Sequence, residues 1–468
     1  MRATSTLSLV TTPGASDRVA TRIVWGMAVG LVAGILLRTL FERVPGAEAL
    51  FGVLPESAHV SGWLTTEVLD PFGQIFLRVL FFVVAPLVFG SLALGVVQLG
   101  RLDRLGPMAA RTFALFGINM AVGVALGLVM MNLLQPGRGL DSEARSRLVA
   151  QAQATAQARD LQAHAEKEPV RVTFATLVEM FMPRNLLQAV VGSERGRLGD
   201  VLPLILFALL LGAAGTTLAE GQRRQLQEAL EVLNNLMLTI VQFALRLAPY
   251  AVAALLMSIV IKMGLGFLNQ LLLFVVGVLG VMALHLFGTM SLLLKLGSRR
   301  SPLQFFKAIT TVMVTAFATS SSNATLPTTI QVSREKLGVS APTAGFVLPL
   351  GATMNMSGTA TYEGCVILFI AQVYGIPITL GQQVTLLALA VLSAVAVAGI
   401  PGASLPLIMG LLGTFGVPPE GIVLILGVDR VLDMARTVLN VAADMVTAVI
   451  VDEHMAAENP APGGGAPT

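Results

Sequence analysis

Long apolar runs are the feature that most constrains how this chain can fold. Before residue 300 they occur near residues 20–40, 71–99, 108–134, 200–218, 232–260 and 269–296. A helix needs about 20 apolar residues to cross the hydrocarbon core of a bilayer, and each run approaches or exceeds that length. Only 12% of the residues are charged, against about a quarter in soluble proteins. The sequence therefore predicts an all-α membrane protein that crosses the bilayer several times.

Charge, cysteine and histidine content argue against several other classes. The formal net charge of +3 is too small to indicate a nucleic-acid partner. The single cysteine, Cys365, lies in an apolar run and can form no internal disulfide. The histidines show no metal-ligand spacing, and His285 is interpreted as a packed residue of the sixth run. We expect no organic cofactor.

The distribution of basic residues predicts the orientation in the membrane. They flank alternate runs, at Arg18, Arg22, Arg101, Arg104, Arg223, Arg224, Lys295, Arg299, Arg300 and Lys307. The intervening segment 41–70 is acidic. Because basic loops stay on the cytoplasmic side, we expect both termini to be cytoplasmic and the protein to lie in the inner membrane.

A polar stripe interrupts the apolar segment 427–446, "GVDRVLDMARTVLNVAADMV". On a helix its polar residues share an arc of roughly 100°. They are Asp429, Asp433, Arg436, Thr437, Asn440 and Asp444. An ionisable group at the bilayer centre costs at least ~2.5–3.5 kcal/mol, so the stripe must face a protein interior or an aqueous cavity. A salt-bridge ladder that only joins helices is the alternative, but it needs no asparagine or threonine.

Beyond residue 300 small and polar clusters cut the apolar stretches. The clusters are "SSSNATLP" (320–327), "NMSGT" (355–359) and "GIPGAS" (399–404). Irregular backbone at membrane depth is found where it lines a cavity, and paired interrupted segments are typical of transporter binding sites. We interpret 302–336 and 383–417 as re-entrant helical hairpins, whose helix N-termini can bind a carboxylate.

At these residues the chain resembles the glutamate transporter family, the dicarboxylate/amino acid:cation symporters. "SSSNATLP" and "AGIPGAS" are similar to the tips of the family's two hairpins. "LPLGATMNMSGTATYEG" resembles its unwound seventh helix, and "DRVLDMARTVLNVAAD" its eighth. The match is near-continuous over 300–452 and thinner over 71–137 and 183–218.

The resemblance implies eight transmembrane helices, two re-entrant hairpins, inverted repeats and a homotrimer that works as an elevator. It divides the chain into a cytoplasmic tail (1–17), scaffold helices 1 and 2 (18–100), transport-domain helix 3 (101–137), a polar extracellular insertion (138–175), scaffold helices 4 and 5 (176–264), a transport domain (265–452) and a disordered tail (453–468). The transport domain holds helix 6, hairpin 1 (about 302–336), helix 7 (about 342–373), hairpin 2 (about 383–417) and helix 8 (about 419–452).

The resemblance also implies where substrate and ions bind. The substrate pocket comprises Ser321, Ser322, Thr359, Ile400, Asp433, Arg436, Thr437 and Asn440. Asp433 is expected to accept hydrogen bonds from a substrate ammonium group, and Arg436 to form a bidentate pair with a side-chain carboxylate. Asn440 and the first hairpin tip are expected to hold the α-carboxylate. Sodium ligands are expected at Gly351, Thr353, Asn355, Met356, Asn440 and Asp444.

Two departures from the family pattern bear on ion coupling. Ser357 stands where the family has an aspartate that binds sodium, and "FALFGINMAVG" (113–123) lacks that ion's usual tyrosine and Thr/Ser partners. We expect this sodium site to be absent or weakened. Glu363 stands where some members carry a glutamate that takes part in proton coupling, and it is the candidate proton carrier. The alternative is a glutamate paired with a nearby basic group.

Together these features predict a cation-coupled symporter for L-aspartate or L-glutamate, using Na⁺, H⁺ or both. Its partners would be the substrate, membrane lipid and two further copies of the chain. A C4-dicarboxylate would leave Asp433 unpaired and a neutral amino acid would leave Arg436 unpaired, which disfavours these alternatives within the same family. A membrane protease lacks a second-helix aspartate motif, and a channel needs no zwitterion pocket. We expect no catalytic residues.

Overall fold

Helices make up every regular element in the part of the chain that the structure describes. The computed structural model describes residues 13–43, 60–98, 106–139, 146, 201–397, 399, 401–402 and 404–458. The predicted all-α class is confirmed for these residues. The predicted polar insertion at 138–175 lies almost wholly outside them.

The N-terminal elements follow the predicted apolar runs closely. They are α1 (Pro13–Arg43), α2 (Val60–Trp63), α3 (Asp70–Gln98), α4 (Gly106–Leu134) and α5 (Val201–Thr216). A π-helical turn, Leu64–Leu69, joins α2 to α3, and a 3₁₀ turn, Pro136–Gly139, follows α4. Helix α1 begins at Pro13, inside the segment predicted as a tail.

The two apolar runs predicted at 232–260 and 269–296 lie on either side of a break within α6 (Glu220–Ala283). Its backbone departs from helical geometry at Gly264, where φ is 75° and ψ is −173°. This left-handed φ is readily adopted only by glycine. Arg38 of α1 reaches the break and donates to the carbonyl of Ile261 over 3.0 Å. It thereby satisfies a carbonyl close to the point where the helical hydrogen-bond ladder is interrupted.

The segment of α6 before Gly264 packs against α1 and α3. A Cβ built on Gly26 of α1 would lie 2.2 Å from the carbonyl oxygen of Pro249, so only glycine permits this approach. Asp70 at the start of α3 accepts hydrogen bonds of 2.5 Å from both Ser258 and Lys262. These contacts hold the first segment of α6 to the N-terminal helices.

The segment of α6 after Gly264 has different neighbours. A Cβ built on Gly277 would lie 2.7 Å from the Leu134 side chain of α4. Phe274 stacks on Phe369, with ring centroids 4.4 Å apart. The two segments of one helix therefore belong to two different packing environments.

The C-terminal elements are shorter and more often broken. A π-helical turn, Leu284–Thr289, leads into α7 (Met290–Gly297), α8 (Pro302–Thr319), α9 (Ser322–Glu335), α10 (Ala341–Met354), α11 (Ser357–Tyr374), α12 (Leu380–Ala396), α13 (Leu405–Thr414) and α14 (Val423–Glu458). We call α8 with α9 the first hairpin and α12 with α13 the second hairpin.

The breaks fall at the polar clusters. Ser320, at the tip of the first hairpin, has a left-handed φ of 50°, and the Ser321 side chain accepts from the N–H of Ala324 and so caps α9. Between α10 and α11 the backbone leaves helical geometry at Asn355 and Met356.

Helix α14 extends to Glu458, beyond the predicted end at residue 452. Glu453 accepts from the Arg300 side chain over 3.1 Å, and Glu458 pairs with Arg111 of α4. These ion pairs favour continued helix where a disordered tail was expected.

Three helical segments of the described chain are long and apolar enough to cross a membrane, judged by length and composition alone. They are Gly106–Gly139, Gly266–Gly297 and Val423–Glu458. The last of these is buried over most of its apolar length, which places it inside the helix bundle.

Candidate functional site

The tips of the two hairpins meet beside the break between α10 and α11. The Ser321 hydroxyl donates to the carbonyl of Gly399 over 2.7 Å, and the N–H of Asn323 donates to the same carbonyl over 3.4 Å. A Cβ on Gly399 would lie 2.7 Å from the carbonyl oxygen of Ala352 in α10. Glycine at this position therefore allows the second tip to close on the first hairpin and on α10.

The polar stripe of α14 faces this junction and is held together by Arg436. Its Nε and Nη2 atoms lie 2.9 and 2.8 Å from Oδ1 of Asp433. Its Nη1 atom lies 3.3 Å from Oδ1 of Asp429. The guanidinium also sits 4.7 Å from the ring centroid of Tyr362, whose hydroxyl donates to Asp429 over 2.8 Å. A buried cation is thus compensated by two carboxylates and an aromatic face.

Asp433 has further partners on its other oxygen. Its Oδ2 atom accepts from the main-chain N–H of Gly402, at the second hairpin tip, over 3.3 Å. It also lies 3.4 Å from Nη1 of Arg430. Asp433 therefore links α14 to the second hairpin, and a competing cation at Asp433 would loosen that link.

Asn440 joins α14 to the start of α11. Its Oδ1 atom accepts from the N–H groups of Gly358 and Thr359 over 2.7 and 3.3 Å, which satisfies donors in the first turn of that helix. Its amide nitrogen lies 3.3 Å from the Thr359 hydroxyl and 3.2 Å from the sulfur of Met356. The side chain fixes the unwound segment against the polar stripe.

A small cavity lies between these groups. It is lined by Ser320, Ser322, Met356, Thr359, Val397, Gly399, Ser404, Asp433, Arg436, Thr437 and Asn440. The centre of a water-sized sphere can move through about 10 Å³ of it, which is the space that one water molecule needs. The described residues therefore leave little space beside the Arg436–Asp433 pair.

A second group of buried oxygens lies deeper along α14. Oδ1 of Asp444 accepts from the side-chain amide of Asn355 over 2.9 Å. A Cβ on Gly351 would lie 2.3 Å from that carboxylate oxygen, so the glycine lets the main chain approach Asp444. Oδ1 of Asn355 is buried with no hydrogen-bond partner among the described residues. Oxygen ligands of this kind suit a hard cation such as sodium.

Glu363 is fully buried on α11, one turn beyond Thr359. Its Oε1 atom accepts from the hydroxyl of Ser393, on α12, over 3.2 Å. Its Oε2 atom has no hydrogen-bond partner in the described part of the chain. A buried carboxyl with so few partners is costly to ionise, so it favours the protonated form.

Comparison with known proteins assigns the chain to a family. The model of the sodium:dicarboxylate symporter family matches residues 19–454. The chain belongs to this family. It is 31% identical to a proton/sodium-glutamate symport protein of Bacillus subtilis (strain 168), over 94% of this chain and 95% of that protein.

Two other relatives of this symporter have names that point to different substrates. A proton/glutamate-aspartate symporter of Escherichia coli (strain K12) is 28% identical, over 92% of each chain. A C4-dicarboxylate transport protein of Deinococcus radiodurans is 28% identical, over 90% of this chain and 87% of the relative. The chain is thus a multi-pass membrane transporter and not an enzyme, and its family couples transport to cations.

The structure brings most of the predicted substrate residues of the symporter to one cavity. Ser322, Thr359, Asp433, Arg436, Thr437 and Asn440 line it. Ser321 lies beside it in the contact between the tips, and Ile400 lies outside the described residues. Tyr362 was missed because a tyrosine in an apolar helix carries no periodic polar signal.

Only some of the predicted cation ligands of the symporter come together in the structure. Asn355, Asp444 and Gly351 come together as described above, whereas the side chains of Asn440 and Met356 contact each other. The Thr353 hydroxyl instead donates to the carbonyl of Leu350 over 3.0 Å.

Ser357 and two polar side chains on other elements, Asn119 and His285, are buried in the described part of the symporter. The Ser357 hydroxyl, Oδ1 of Asn119 and both ring nitrogens of His285 are buried without a hydrogen-bond partner among the described residues. A Cβ on Gly123 would lie 2.4 Å from the Thr361 hydroxyl and 3.0 Å from Nε2 of His285. Asn119 was missed, although an amide in an otherwise apolar helix was a signal that could have identified it.

Proposed function

We propose that this protein takes up acidic amino acids, L-aspartate or L-glutamate, across the inner membrane as a cation-coupled secondary active symporter. The observation that carries the proposal is the placement of Arg436 and Asp433 in one small cavity beside both hairpin tips. One guanidinium and one carboxylate complement a zwitterion that has an extra negative charge. Without substrate, Arg436 and Asp433 pair with each other. A bound substrate would separate them, with its side-chain carboxylate on Arg436 and its ammonium group on Asp433.

The roles within the pocket follow from the contacts. Arg436 offers a planar fork to a side-chain carboxylate, and Asp433 offers an acceptor to the substrate ammonium group. The Ser322 side chain at the start of α9 and the amide of Asn440 are placed to hold the α-carboxylate. Substrate entry requires the second hairpin tip to move, because the cavity as described holds only about one water molecule.

A C4-dicarboxylate or a neutral amino acid is the alternative substrate. The first of these is supported by the similarity to the C4-dicarboxylate transport protein of Deinococcus radiodurans. A C4-dicarboxylate is disfavoured because its second carboxylate would lie beside Asp433. The cation next to Asp433 on that side is Arg430, which already lies 3.4 Å from the Asp433 carboxylate. Two close carboxylates repel each other in a buried site.

Ion coupling combines sodium and protons in this proposal. Asp444, Asn355 and the main chain near Gly351 supply oxygens for one sodium ion. Ser357 is neutral, so the neighbouring site lacks the negative charge that would offset a second cation. Glu363 carries the proton, because its buried carboxyl has one hydrogen-bond partner and no cation within hydrogen-bonding distance among the described residues.

The mechanism that we propose is an elevator in a homotrimer with cytoplasmic termini. The division of α6 at Gly264 supports it, since the segment before it packs on α1 and α3 and the segment after it on α4 and α11. The division coincides with the boundary expected between scaffold and transport domain at 264/265. Large apolar side chains of α1, such as Trp25 and Leu36, are exposed and would contact lipid or another copy.

Uptake of labelled L-aspartate into proteoliposomes tests the function directly. Sodium and proton gradients are imposed separately, and we expect inward proton gradients to drive accumulation with sodium increasing it. Unlabelled succinate and L-alanine serve as competitors, and we expect neither to compete as well as L-glutamate. Accumulation of succinate in place of aspartate would assign the C4-dicarboxylate function, and strict sodium dependence at every pH would remove the proton role.

Replacing Glu363 with glutamine should separate proton coupling from substrate binding. Glutamine is a neutral isostere, so exchange of internal for external aspartate should persist. Net uptake driven by a proton gradient should fall by about tenfold or more, since the carboxyl that carries the proton is gone. The same variant with wild-type pH dependence would show that Glu363 carries no proton.

A further inference from the structure

We propose that Ser393 is a positioning residue that holds the Glu363 carboxyl and ties its protonation to the position of the second hairpin. The proposal rests on the proton-carrying role of Glu363. Ser393 lies near the end of α12, the first helix of the second hairpin, and is 2% exposed. Its Oγ lies 3.2 Å from Oε1 of Glu363 on α11, where the hydroxyl donates and the carboxyl accepts.

This hydroxyl is the one polar contact that the described residues give to the Glu363 carboxyl. The other oxygen, Oε2, is buried and has no hydrogen-bond partner there. The contact crosses between two helices that belong to different parts of the chain. Any displacement of α12 relative to α11 therefore breaks it.

Few ionisable groups lie on the helices around Glu363, so the hydrogen bond from Ser393 matters more for its carboxyl. The described residues of α10, α12 and α13 carry no ionisable group, and in α4 the one such group is Arg111, which pairs with Glu458 at the end of α14. On α14, the hydrogen bonds of Arg436 go to Asp433 and Asp429, and none of them reaches Glu363.

On Glu363's own helix the neighbouring titratable groups are Tyr362 and Cys365. The hydroxyl of Tyr362 donates to Asp429, and Cys365 is a fully buried free thiol. Neither supplies a positive charge. His285, in the π-helical turn after α6, also lies near α11, because a Cβ on Gly123 would approach both its Nε2 atom and the Thr361 hydroxyl. Among the described residues, the hydrogen bond that reaches the Glu363 carboxyl is the one from Ser393.

Movement of the second hairpin would change both the burial of the Glu363 carboxyl and its hydrogen bond to Ser393. When α12 moves, the Ser393 hydroxyl leaves and water can reach the carboxyl. A hydronium ion then transfers one proton to the carboxylate and leaves a water molecule, and the reverse transfer occurs on the other side of the membrane. With α12 in place, Glu363 is buried and exchanges no proton. Proton exchange is thus confined to the state in which the second hairpin is displaced.

The test compares the pH dependence of aspartate uptake for Ser393→Ala, Ser393→Thr and Glu363→Gln in proteoliposomes. A hydroxyl donor favours the ionised carboxyl, so its loss in Ser393→Ala should move the midpoint of the pH dependence upward by about half to one pH unit. Ser393→Thr keeps the donor and should retain the wild-type midpoint. Thr385→Ala is the matched control, because Thr385 lies exposed on the same helix and donates to the carbonyl of Gly381.

The outcomes distinguish this inference from the proposed function. An unchanged midpoint in Ser393→Ala together with a flat profile in Glu363→Gln would overturn the role of Ser393 and leave the proton carrier intact. A wild-type profile in Glu363→Gln would overturn the carrier itself. A shift in Ser393→Thr as large as that in Ser393→Ala would show that packing, and not the hydroxyl, sets the midpoint.

Discussion

Replacing Arg436 with cysteine is expected to reduce uptake of L-aspartate by about 30-fold or more and to admit neutral amino acids. Removing one partner of a buried, hydrogen-bonded charge pair costs about 2–5 kcal/mol in binding, which corresponds to that factor at its lower end. In this chain the loss also leaves Asp429 and Asp433 without their principal cation. A neutral amino acid would no longer leave a guanidinium unpaired in the pocket.

The measurement is competition of labelled aspartate uptake by serine, alanine and glutamate. Arg436→Lys retains the charge without the planar fork, so an intermediate loss is expected if the two parallel hydrogen bonds matter. Arg224→Cys is a control for the introduced thiol, because Arg224 is exposed and pairs with Glu228 on the surface of α6. Unchanged aspartate uptake in Arg436→Cys would place Arg436 outside the substrate pocket.

Replacing Gly358 with alanine is expected to abolish uptake and to destabilise the folded protein. A Cβ at this position would lie 2.3 Å from the carbonyl oxygen of Arg436, with the Arg436 carbonyl carbon and Cα both at 3.0 Å. These are main-chain atoms of α14, which cannot rotate away as a side chain can. Overpacking of this kind costs about 1–3 kcal/mol, and separating α11 from α14 would also break the 2.7 Å contact between Gly358 and Asn440.

Thermal unfolding followed by size-exclusion chromatography measures the destabilisation, and uptake of labelled aspartate measures the loss of transport. Gly345→Ala on α10 is the matched control, since a Cβ there meets no atom within 4 Å. It should keep wild-type uptake and unfold at the same or a slightly higher temperature, because alanine is the better helix former. Wild-type behaviour of Gly358→Ala would mean that α11 and α14 are not packed as closely as the structure shows.

The polar stripe of α14 could be predicted from the sequence because helical periodicity alone puts its charged residues on one face. Burial in an apolar segment then requires that they compensate each other, and the pairing of Arg436 with Asp433 meets that requirement. The breaks at "SSSNATLP" and "NMSGT" could be predicted because serine, asparagine and glycine clusters are poor helix formers. In these places local chemistry and tertiary structure favour the same conformation.

Contacts between distant segments could not be predicted in this way. Ser393 lies in an apolar helix where a lone serine gives no periodic signal, and its partner Glu363 is 30 residues away. The predicted runs 232–260 and 269–296 bracket the break in α6, but "KMGLGF" contains two glycines, and only the structure shows that Gly264 is the one that takes the left-handed conformation. Such features depend on which helices pack together, which a single sequence does not specify.

The break at Gly264 has a mechanical consequence. An unbroken helix of 64 residues would be a stiff rod, so a push on one end would be transmitted to the other. Because the hydrogen-bond ladder is interrupted at one glycine, the segments on either side can change their angle by rotation about a few backbone bonds. Arg38 can compensate nearby carbonyls from outside the helix. In the proposed elevator, this break would let the segment after Gly264 move while α1 and α3 stay in place, without the unwinding of a further helical turn.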